Sequence, residues 1–263
     1  MKLNKLFQHF YYYIETYAKN KLGKGIMNPV LNGEYILLKK IIDNVKSPNI
    51  IDVGSNVGAY TKKAIHYAKN KTLFIHSIDA NPEMKNFFNE IDYPGFTFSN
   101  IGIGNDNGKL TFYSDNKLGG KASSSFYKHY YLENHNKYEV DIFTIDQIFS
   151  ELKWGKVDLL KLDIEGSEME ALEGAKKSFE KEIINITQIE YNPTWIKANR
   201  SLENLFDFKE KFSLDMFRLT KAGLLPLNKY HHSLDDFNYQ NIILIKKGIS
   251  TPMRILKEPL PFS

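Results

Sequence analysis

The sequence predicts an α/β fold in which a mostly parallel sheet is covered by helices on both faces. Short apolar runs alternate with amphipathic segments through the middle of the chain, as in βαβ units. Acidic or amide residues follow several of these runs, at the edge where open α/β sheets bind their ligands. At 263 residues the chain is long enough for one large domain of this kind with small additions.

Composition and charge are those of an ordinary soluble protein. Hydrophobic residues make up 42% of the sequence and charged residues 25%. The net charge is +4, but only three of the 35 basic residues are arginine and the lysines are scattered, so we expect no nucleic-acid partner. The absence of cysteine excludes disulfides, cysteine-bound zinc and thiol catalysis. Without a spanning apolar run or a hydrophobic leader, we expect a cytoplasmic protein.

Residues 1–48 are predicted to form an N-terminal helical extension. Apolar residues recur at helical spacing between Leu3 and Tyr17, with lysines and polar residues opposite. Such a helix could lie on an anionic membrane, pair with a second subunit or pack on its own domain, and the last is the expectation. The main domain is assigned to residues 49–248, and residues 249–263 form a C-terminal tail.

A strand, a glycine turn and a helix open the main domain. The apolar run 50–53 predicts a buried strand, and a turn from Gly54 to Gly58 follows it. The segment 57–68 predicts a helix that Asn56 caps. Because glycine lets a ligand approach the backbone and a helix N-terminus supplies donors, this is the start of a nucleotide-binding unit.

The spacing in this turn discriminates among nucleotides. Ser55 and Asn56 stand where a dinucleotide fingerprint has its second glycine, and no P-loop Gly-Lys-Ser/Thr follows. What remains is Asp-x-Gly-x-x-x-Gly, with Asp52 at the strand end. An acidic turn suits a positively charged nucleoside without a pyrophosphate, and S-adenosylmethionine is such a ligand. Two glycines in such a turn also occur for steric reasons alone.

The next strand end supports a nucleoside site. The second strand, residues 73–78, ends at Asp79 and Ala80, where a carboxylate can accept both hydroxyls of a ribose. The alternative is that Asp79 only caps the helix that Pro82 begins.

The third strand, residues 97–101, ends beside the expected position of the base. There Asn100 and Ile101 supply an amide and an apolar side chain that suit adenine. The predicted cofactor-binding residues are Asp52, Gly54, Ser55, Asn56, Gly58, Asp79, Ala80, Asn100 and Ile101.

Three acids at two later strand ends are candidate catalytic residues. The most apolar strand ends at Asp163, two residues before Glu165, and the following strand ends at Glu190. Polar side chains at such ends face the ligand crevice. Alternatively, acidic residues here could simply interact with the positive end of a helix dipole. This explanation fits Glu168 but fits Asp163 poorly.

The last part of the domain is predicted to form a helix and then a pair of strands that completes the sheet. The helix covers residues 201–222, and the strands cover residues 224–227 and 241–246. If the last strand is antiparallel, the loop between the two opens on the ligand side. This loop carries His231 and His232, which are either catalytic or exposed loop residues.

Together these motifs resemble the FkbM family of S-adenosylmethionine-dependent methyltransferases. The matching runs, within residues 33–247, are Asp52-Val-Gly-Ser-Asn-Val-Gly, Asp79-Ala-Asn-Pro, Asp163-Ile-Glu-Gly-Ser-Glu and Glu190-Tyr-Asn-Pro. Two departures are minor: Ser55 stands where the family usually has alanine, and Asp79 where it more often has glutamate. The resemblance implies a class I, Rossmann-like sheet of seven strands with an antiparallel last strand. It also implies O-methylation, mostly of sugars or polyketide-like hydroxyls.

Reference pKa values limit which residue can activate a hydroxyl. Carboxyl groups titrate near about 4 and are weak bases for an alcohol, whereas imidazole matches neutral pH. His231 and His232 therefore remain candidates. Asp163, Glu165 and Glu190 could orient substrate hydroxyls or hold a divalent metal, and we expect orientation without a metal.

The expected acceptor is a hydroxyl on a nucleotide-linked sugar or a surface glycan. Residues 118–131 lie in a long irregular loop that is typical of a lid, with serines and aromatic residues beside Lys121, Lys128 and His129. That mixture suits stacking on a sugar while a cation meets a phosphate. The alternatives are another small hydroxylated or amide metabolite and, less favoured, an NAD-dependent sugar oxidoreductase.

Overall fold

An eight-stranded sheet and a separate three-stranded sheet form the framework of the protein. The computed structural model describes residues 2–115, 125–127 and 135–257. The strands are β1 (Asn49–Val53), β2 (Phe74–Ile78), β3 (Phe96–Ser99), β4 (Gly102–Ile103), β5 (Gly108–Asp115), β6 (His135–Phe143), β7 (Leu159–Leu162), β8 (Ile186–Tyr191), β9 (Leu214–Thr220), β10 (Gly223–Pro226) and β11 (Gln240–Lys246).

Helices connect most of these strands. They are α1 (Lys2–Lys21), α2 (Glu34–Asn44), α3 (Ala59–Ala68), α4 (Lys85–Phe88), α5 (Ile145–Leu152), α6 (Glu168–Glu173), α7 (Lys176–Glu180), α8 (Thr194–Lys197) and α9 (Leu202–Lys211), with 3-10 turns at Pro82–Met84 and His232–Leu234. Among the described residues, no helix has both the length and the apolarity needed to cross a membrane.

The large sheet has the predicted, mostly parallel arrangement. Its order is β10-β9-β11-β8-β7-β1-β2-β3, and β1, β2, β3, β7 and β8 pair in parallel. Strand β11 runs antiparallel between β8 and β9, as expected of the last strand. The predicted seven strands are therefore present, and β10 adds an eighth at the edge. The carboxyl ends of β1, β2, β3, β7, β8 and β9 meet at one edge, here named the carboxyl edge.

Central strands are apolar because helices cover both faces of the sheet. In β7, Leu160 and Leu162 pack in one core with residues of α6 and α9. Leu159 faces the opposite core, which α2 and α3 line. A strand that is buried on both faces has a nearly continuous apolar sequence. This explains why β7 lies in the most strongly apolar predicted strand.

The prediction for residues 201–246 was partly wrong. Helix α9 ends at Lys211, and β9 occupies the second half of the predicted helix. In β9, Met216 faces one core while Phe217 and Leu219 face the other, which is the alternation of a strand. Strands β10 and β11 do not pair with each other, because β9 lies between them and pairs with both.

The predicted cap of α3 was wrong. Helix α3 begins after Gly58, whereas Asn56 lies in the left-handed region (φ 47°) and does not cap it. The alternative role of Asp79, as the cap of the turn at Pro82, is also excluded, because the side chain of Asn81 accepts the N–H of Glu83 there.

Helix α1 forms over the predicted residues but does not pack on the domain as expected. Its large apolar and aromatic side chains from Phe7 to Tyr17 are between 50% and 67% exposed. Helix α2, in contrast, buries Leu37 and Leu38 in the core beside α3. Of the loop 118–131 only residues 125–127 are described, and residues 258–263 of the C-terminal tail also lie outside the described part.

Gly54 lies where β1 and β7 come closest at the carboxyl edge. A Cβ there would be 1.8 Å from the carbonyl oxygen of Asp163, and its φ of 78° is left-handed. Gly25 has a similar φ of 73° with nothing within 4 Å of a Cβ. Substituting each glycine by alanine therefore separates the cost of the left-handed backbone, which both share, from the cost of the steric clash, which only Gly54 has.

Gly54→Ala is expected to lower the free energy of unfolding by about 3 kcal/mol or more, since a steric clash adds to the left-handed strain. Gly25→Ala should lower it by only about 1–2 kcal/mol. Urea denaturation of both variants measures the difference. Equal losses would mean that Gly54 is required only for its φ.

Candidate active site

The turn after β1 is tied to the end of β2 by its own backbone. The N–H groups of Gly54 and Ser55 both donate to the carbonyl of Ile78, at 2.9 and 3.1 Å. The hydroxyl of Ser55 donates to the same carbonyl at 3.1 Å, and Ser55 is buried. Ser55, predicted to bind the cofactor, therefore uses its side chain to hold the turn against β2.

Asp79 joins the glycine turn to the end of β2. One carboxylate oxygen accepts the N–H of Asn56 at 2.7 Å, and the other accepts the N–H of Asn81 at 2.8 Å. Burial raises the pKa of Asp79 to about 6, although these two hydrogen bonds act in the opposite direction. Since a carboxylate oxygen can accept more than one hydrogen bond, this arrangement is compatible with binding a ribose diol.

The other predicted cofactor residues lie around Asp79. The side-chain amide of Asn100 donates to the carbonyls of Asp79 and Asn81, at 2.7 and 3.1 Å. Ala80 packs beside the small core of the three-stranded sheet, and Ile101 packs against the main core. The ends of β2 and β3 are thus linked, as a common nucleoside site requires.

Asp52 lies near the end of β1, just before the glycine turn. Its side chain is fully buried, accepts a hydrogen bond from Thr61 at 2.8 Å and lies 3.9 Å from the ammonium of Lys161. Asp52 and Lys161 are direct register partners on β1 and β7, which explains their contact. These contacts give Asp52 a role in holding β1 to β7 and α3, and its contact with the cofactor stays a prediction.

Three carboxylates come together at the ends of β7 and β8. Oxygens of Asp163, Glu165 and Glu190 all lie within 4.8 Å of one another. The amide of Asn192 donates to Glu190 at 2.6 Å and to Glu165 at 3.3 Å. The three acids that the sequence selected are therefore neighbours, here named the acid cluster.

Lys161 supplies the positive charge beside the acid cluster. Its ammonium donates to Asp163 at 2.7 Å and lies 5.1 Å from the ring centroid of Tyr60. Burial lowers the pKa of Lys161, but the charges of Asp163, Asp52 and Glu34 outweigh burial and raise it well above its ordinary value. Lys161 is thus charged at neutral pH and forms an ion pair with Asp163.

The two glutamates of the cluster hold protons far more tightly than free carboxyl groups. Burial, followed by the charge of Asp163, raises the pKa of Glu165 to about 7. Burial and the charges of Asp163 and Glu165 raise the pKa of Glu190 well above its ordinary value. The cluster therefore contains two carboxyl groups whose pKa values lie above the ordinary range.

Backbone geometry places Glu165 in this cluster. Its φ of 53° is left-handed, which is uncommon outside glycine. Glu168 holds this bend, because its carboxylate accepts the N–H groups of Ile164 and Gly166 at 2.9 and 3.0 Å. The hydroxyl of Ser125 donates to the carbonyl of Glu165 at 2.8 Å and brings residues 125–127 over the bend. Glu168 is therefore structural, and Glu165 is held in position by strained backbone.

A buried polar layer lies on the same face of the sheet as the acid cluster. Glu34 accepts hydrogen bonds from Gln188 at 2.9 Å and from the Tyr239 hydroxyl at 3.2 Å. The Tyr60 hydroxyl donates to Gln188 at 3.3 Å. Burial, followed by the charges of Glu190 and Glu34, raises the pKa of Tyr239. This layer connects α2 to the strands that carry the cluster.

The structure gives His231 and His232 a different setting. Both lie at the start of the 3-10 turn between β10 and β11, with ring centroids 4.1 Å apart. Nδ1 of His231 is 2.8 Å from the hydroxyl of Ser233, and His232 is exposed. Because β11 is antiparallel, their loop does return to the carboxyl edge as expected. A catalytic role for either histidine stays a prediction.

The acid cluster is chemically able to bind a small cation or several hydroxyl groups. Three oxygens within 4.8 Å could approach one divalent ion, since carboxylates are the ligands that such ions prefer. However, Lys161 already pairs with Asp163, and the pKa of Glu190 is raised well above its ordinary value by burial and by the charges of Asp163 and Glu165. These features favour hydrogen bonding over metal binding.

Lys161 is the residue that sequence analysis missed. A lysine inside the apolar run Val-Asp-Leu-Leu-Lys-Leu-Asp-Ile, two positions before Asp163, shares one strand face with that acid. This spacing was a usable signal for a buried ion pair.

Lys161→Met is expected to lower the free energy of unfolding by about 3 kcal/mol or more at pH 7, because Asp52 and Asp163 lose their cation. Lys109→Met removes an exposed lysine that pairs with Glu139 and should cost at most about 1 kcal/mol. Denaturation at two pH values provides the check. The Lys161→Met deficit should shrink at acid pH as the two aspartates take up protons, and a pH-independent deficit would contradict the ion-pair account.

Comparison with known proteins assigns the family. A family model described as the Methyltransferase FkbM domain matches residues 52–218, which is more than half of the chain. This match contains the glycine turn, Asp79 and the acid cluster, and it confirms the resemblance found in the sequence. A search of curated proteins returns no significant match.

Several solved structures are similar in fold. Methyltransferase FkbM from Methylobacillus flagellatus KT is 15% identical with a TM-score of 0.46, over 76% of this chain and 44% of that one. The alignment thus spans less than half of that protein. An rRNA methylase from Streptococcus thermophilus is 9% identical with a TM-score of 0.43, over 84% and 98% of the two chains.

A third structure, TrmK of M. capricolum with S-adenosylhomocysteine, is 16% identical with a TM-score of 0.37, over 80% and 67% of the two chains. At these scores the family assignment depends on the family model and on the strand-end residues that it covers. The chain therefore belongs to the family of methyltransferases with the FkbM domain, and its cofactor is S-adenosylmethionine.

Proposed function

We propose that this protein methylates a hydroxyl group of a sugar, either nucleotide-linked or part of a glycan. The observation that carries the proposal is the acid cluster, in which Glu165 has a pKa of about 7 beside Asp163 and Glu190. A carboxyl group that titrates near neutral pH can accept the proton of an alcohol far better than an ordinary carboxylate can. Members of the family are methyltransferases, and the acid cluster contains a carboxyl group that can remove the proton of a hydroxyl.

The residues of the chain have separate tasks in this reaction. Bound S-adenosylmethionine supplies the methyl group as an electrophile. Glu165 accepts the proton of the acceptor hydroxyl as the new O–C bond forms. Asp163, paired with Lys161, and Asn192 fix the orientation of the cluster, and Glu190 forms a hydrogen bond with a second oxygen of the acceptor. Because positive charge disappears from sulfur, alignment and exclusion of water are the main contributions of the protein.

A polyol acceptor matches the hydrogen-bonding capacity of the cluster. A carboxylate accepts hydrogen bonds, whereas a carboxyl group with a raised pKa, such as that of Glu190, can also donate one when it carries its proton. Neighbouring hydroxyl groups of a sugar present donors and acceptors at similar short spacing. A peptide side chain or a simple phenol would leave some of these buried polar groups without partners, which is unfavourable.

The cofactor contact proposed for Asp79 makes a direct prediction. Asp79→Asn should weaken binding of S-adenosylhomocysteine by about 2 kcal/mol, because hydrogen bonds from a ribose to a charged acceptor are lost. Asp92→Ala, an exposed aspartate on the same β2–β3 connection, should bind as the wild type does. Titration calorimetry compares the two. An unchanged affinity in Asp79→Asn would exclude Asp79 as the ribose ligand.

The proposed base predicts a pH dependence. Since Glu165 must lose its proton before it can accept one, kcat/KM should rise with pH through about 7. Glu165→Gln should lower kcat by about 100-fold or more and abolish this rise. Glu151→Gln, on the far end of α5, serves as the control. An unaltered profile in Glu165→Gln would reject Glu165 as the base.

Chelation tests the metal-free mechanism in the same assay. Activity should survive EDTA, since Lys161 already supplies a positive charge beside Asp163 in the cluster. A loss that magnesium or manganese restores would turn the three carboxylates into metal ligands instead.

The acceptor class is tested by measuring S-adenosylhomocysteine formation with nucleotide sugars, free sugars and glycan fragments, beside small phenols, amides and peptides. Turnover on at least one sugar class is expected. Turnover on phenols, amides or peptides with none on any sugar would overturn the proposal. Identifying the nucleoside that copurifies with the protein separates the two enzyme classes. Bound S-adenosylhomocysteine is expected of a methyltransferase, and bound NAD would indicate the oxidoreductase alternative.

A further inference from the structure

Helix α1 presents an unusually apolar surface to solvent. Seven large side chains within eleven residues are at least half exposed: Phe7, Phe10, Tyr11, Tyr12, Tyr13, Ile14 and Tyr17. Residues 7, 10, 14 and 17 recur at helical spacing on one face. The connection that follows adds Met27 and Val30, exposed by 75% and 57%. Such a contiguous surface is typical of an interaction site.

The charge of this segment is one-sided. Helix α1 contains four lysines and a single acid, Glu15. Glu15 already pairs with Lys19, with 2.7 Å between nitrogen and oxygen. Two of the lysines are near each end of the helix, so both ends carry positive charge. A partner surface for α1 must therefore be negatively charged or neutral.

We propose that α1 docks the protein on an anionic lipid membrane, lying in the plane of the interface. A second copy of the helix fits poorly, because lysine-rich ends would meet in either a parallel or an antiparallel pair. Lipid headgroups would complement these lysines, while Phe10 and Ile14 enter the apolar layer. Residues 7–13 contain five phenylalanine and tyrosine side chains. Such a cluster is typical of membrane interfaces, where the ring of tyrosine is buried and its hydroxyl stays hydrated.

The connection after α1 is anchored at the carboxyl edge of the sheet. A Cβ on Gly23 would be 2.3 Å from the carbonyl oxygen of Leu219, near the end of β9. Lys24 pairs with Asp236 at 2.5 Å, and the N–H of Gly25 donates to the carbonyl of Tyr239 at 2.7 Å. Docking of α1 would therefore bring the edge that carries the acid cluster towards the membrane.

Vesicle flotation of the full chain tests the docking. The wild type should float with vesicles that contain phosphatidylglycerol and phosphatidylcholine, and binding should weaken with salt and be lost on pure phosphatidylcholine. Phe10→Ser with Ile14→Ser should reduce partitioning by about tenfold or more, since two apolar side chains no longer enter the interface. Phe87→Ser with Leu110→Ser, also on exposed apolar residues, should bind as the wild type does.

Three results would overturn the proposal: no binding to anionic vesicles, equal binding to neutral ones, or equal loss in both double variants. Dimerisation without lipid that only Phe10→Ser with Ile14→Ser abolishes would assign α1 to a second copy. The flotation assay contains no acceptor, so its outcome is independent of the acceptor assays above.

Discussion

The ion pairs of one buried lysine connect the ends of β1 and β7, on which the rest of this site depends. Lys161 lies between Asp52 and Asp163 and pairs with both carboxylates. An uncompensated charge at this depth would cost several kcal/mol or take up a proton. Beside this pair, burial and then the charge of Asp163 raise the pKa of Glu165 and Glu190. The two glutamates thus owe their raised pKa first to burial at the strand ends that Lys161 holds together.

Backbone proximity connects this cluster to the cofactor turn. The absence of a side chain at Gly54 lets the carbonyl of Asp163 approach the turn, and the N–H of Asp163 donates to Val53. The end of β7 is therefore held against the end of β1. In-line methyl transfer requires donor and acceptor within van der Waals distance, and this contact brings the turn proposed for the cofactor beside the cluster proposed for the acceptor.

The sequence predicted which strand ends come together better than it predicted the surroundings of those ends. Asp79, Asp163 and Glu190 follow apolar runs, and parallel strands necessarily bring such ends to one edge. Strand β9 was missed because Phe208, Phe212 and Met216 also fit a helical spacing, so only tertiary pairing decides between the two. The exposure of α1 could not be predicted either, since an amphipathic pattern indicates an apolar face but not what covers it.

The choice of base shows why residue type alone was insufficient. With ordinary pKa values, carboxyl groups are poor bases for an alcohol, which favoured His231 and His232 in the sequence. Burial together with the charge of Asp163 raises the pKa of Glu165 to about 7, so that argument no longer applies. The left-handed bend at Glu165, which Glu168 holds from inside, brings the carboxylate into this environment. The raised pKa of Glu165 is therefore a property of its position between two strand ends, and it could be recognised only once those ends were seen together.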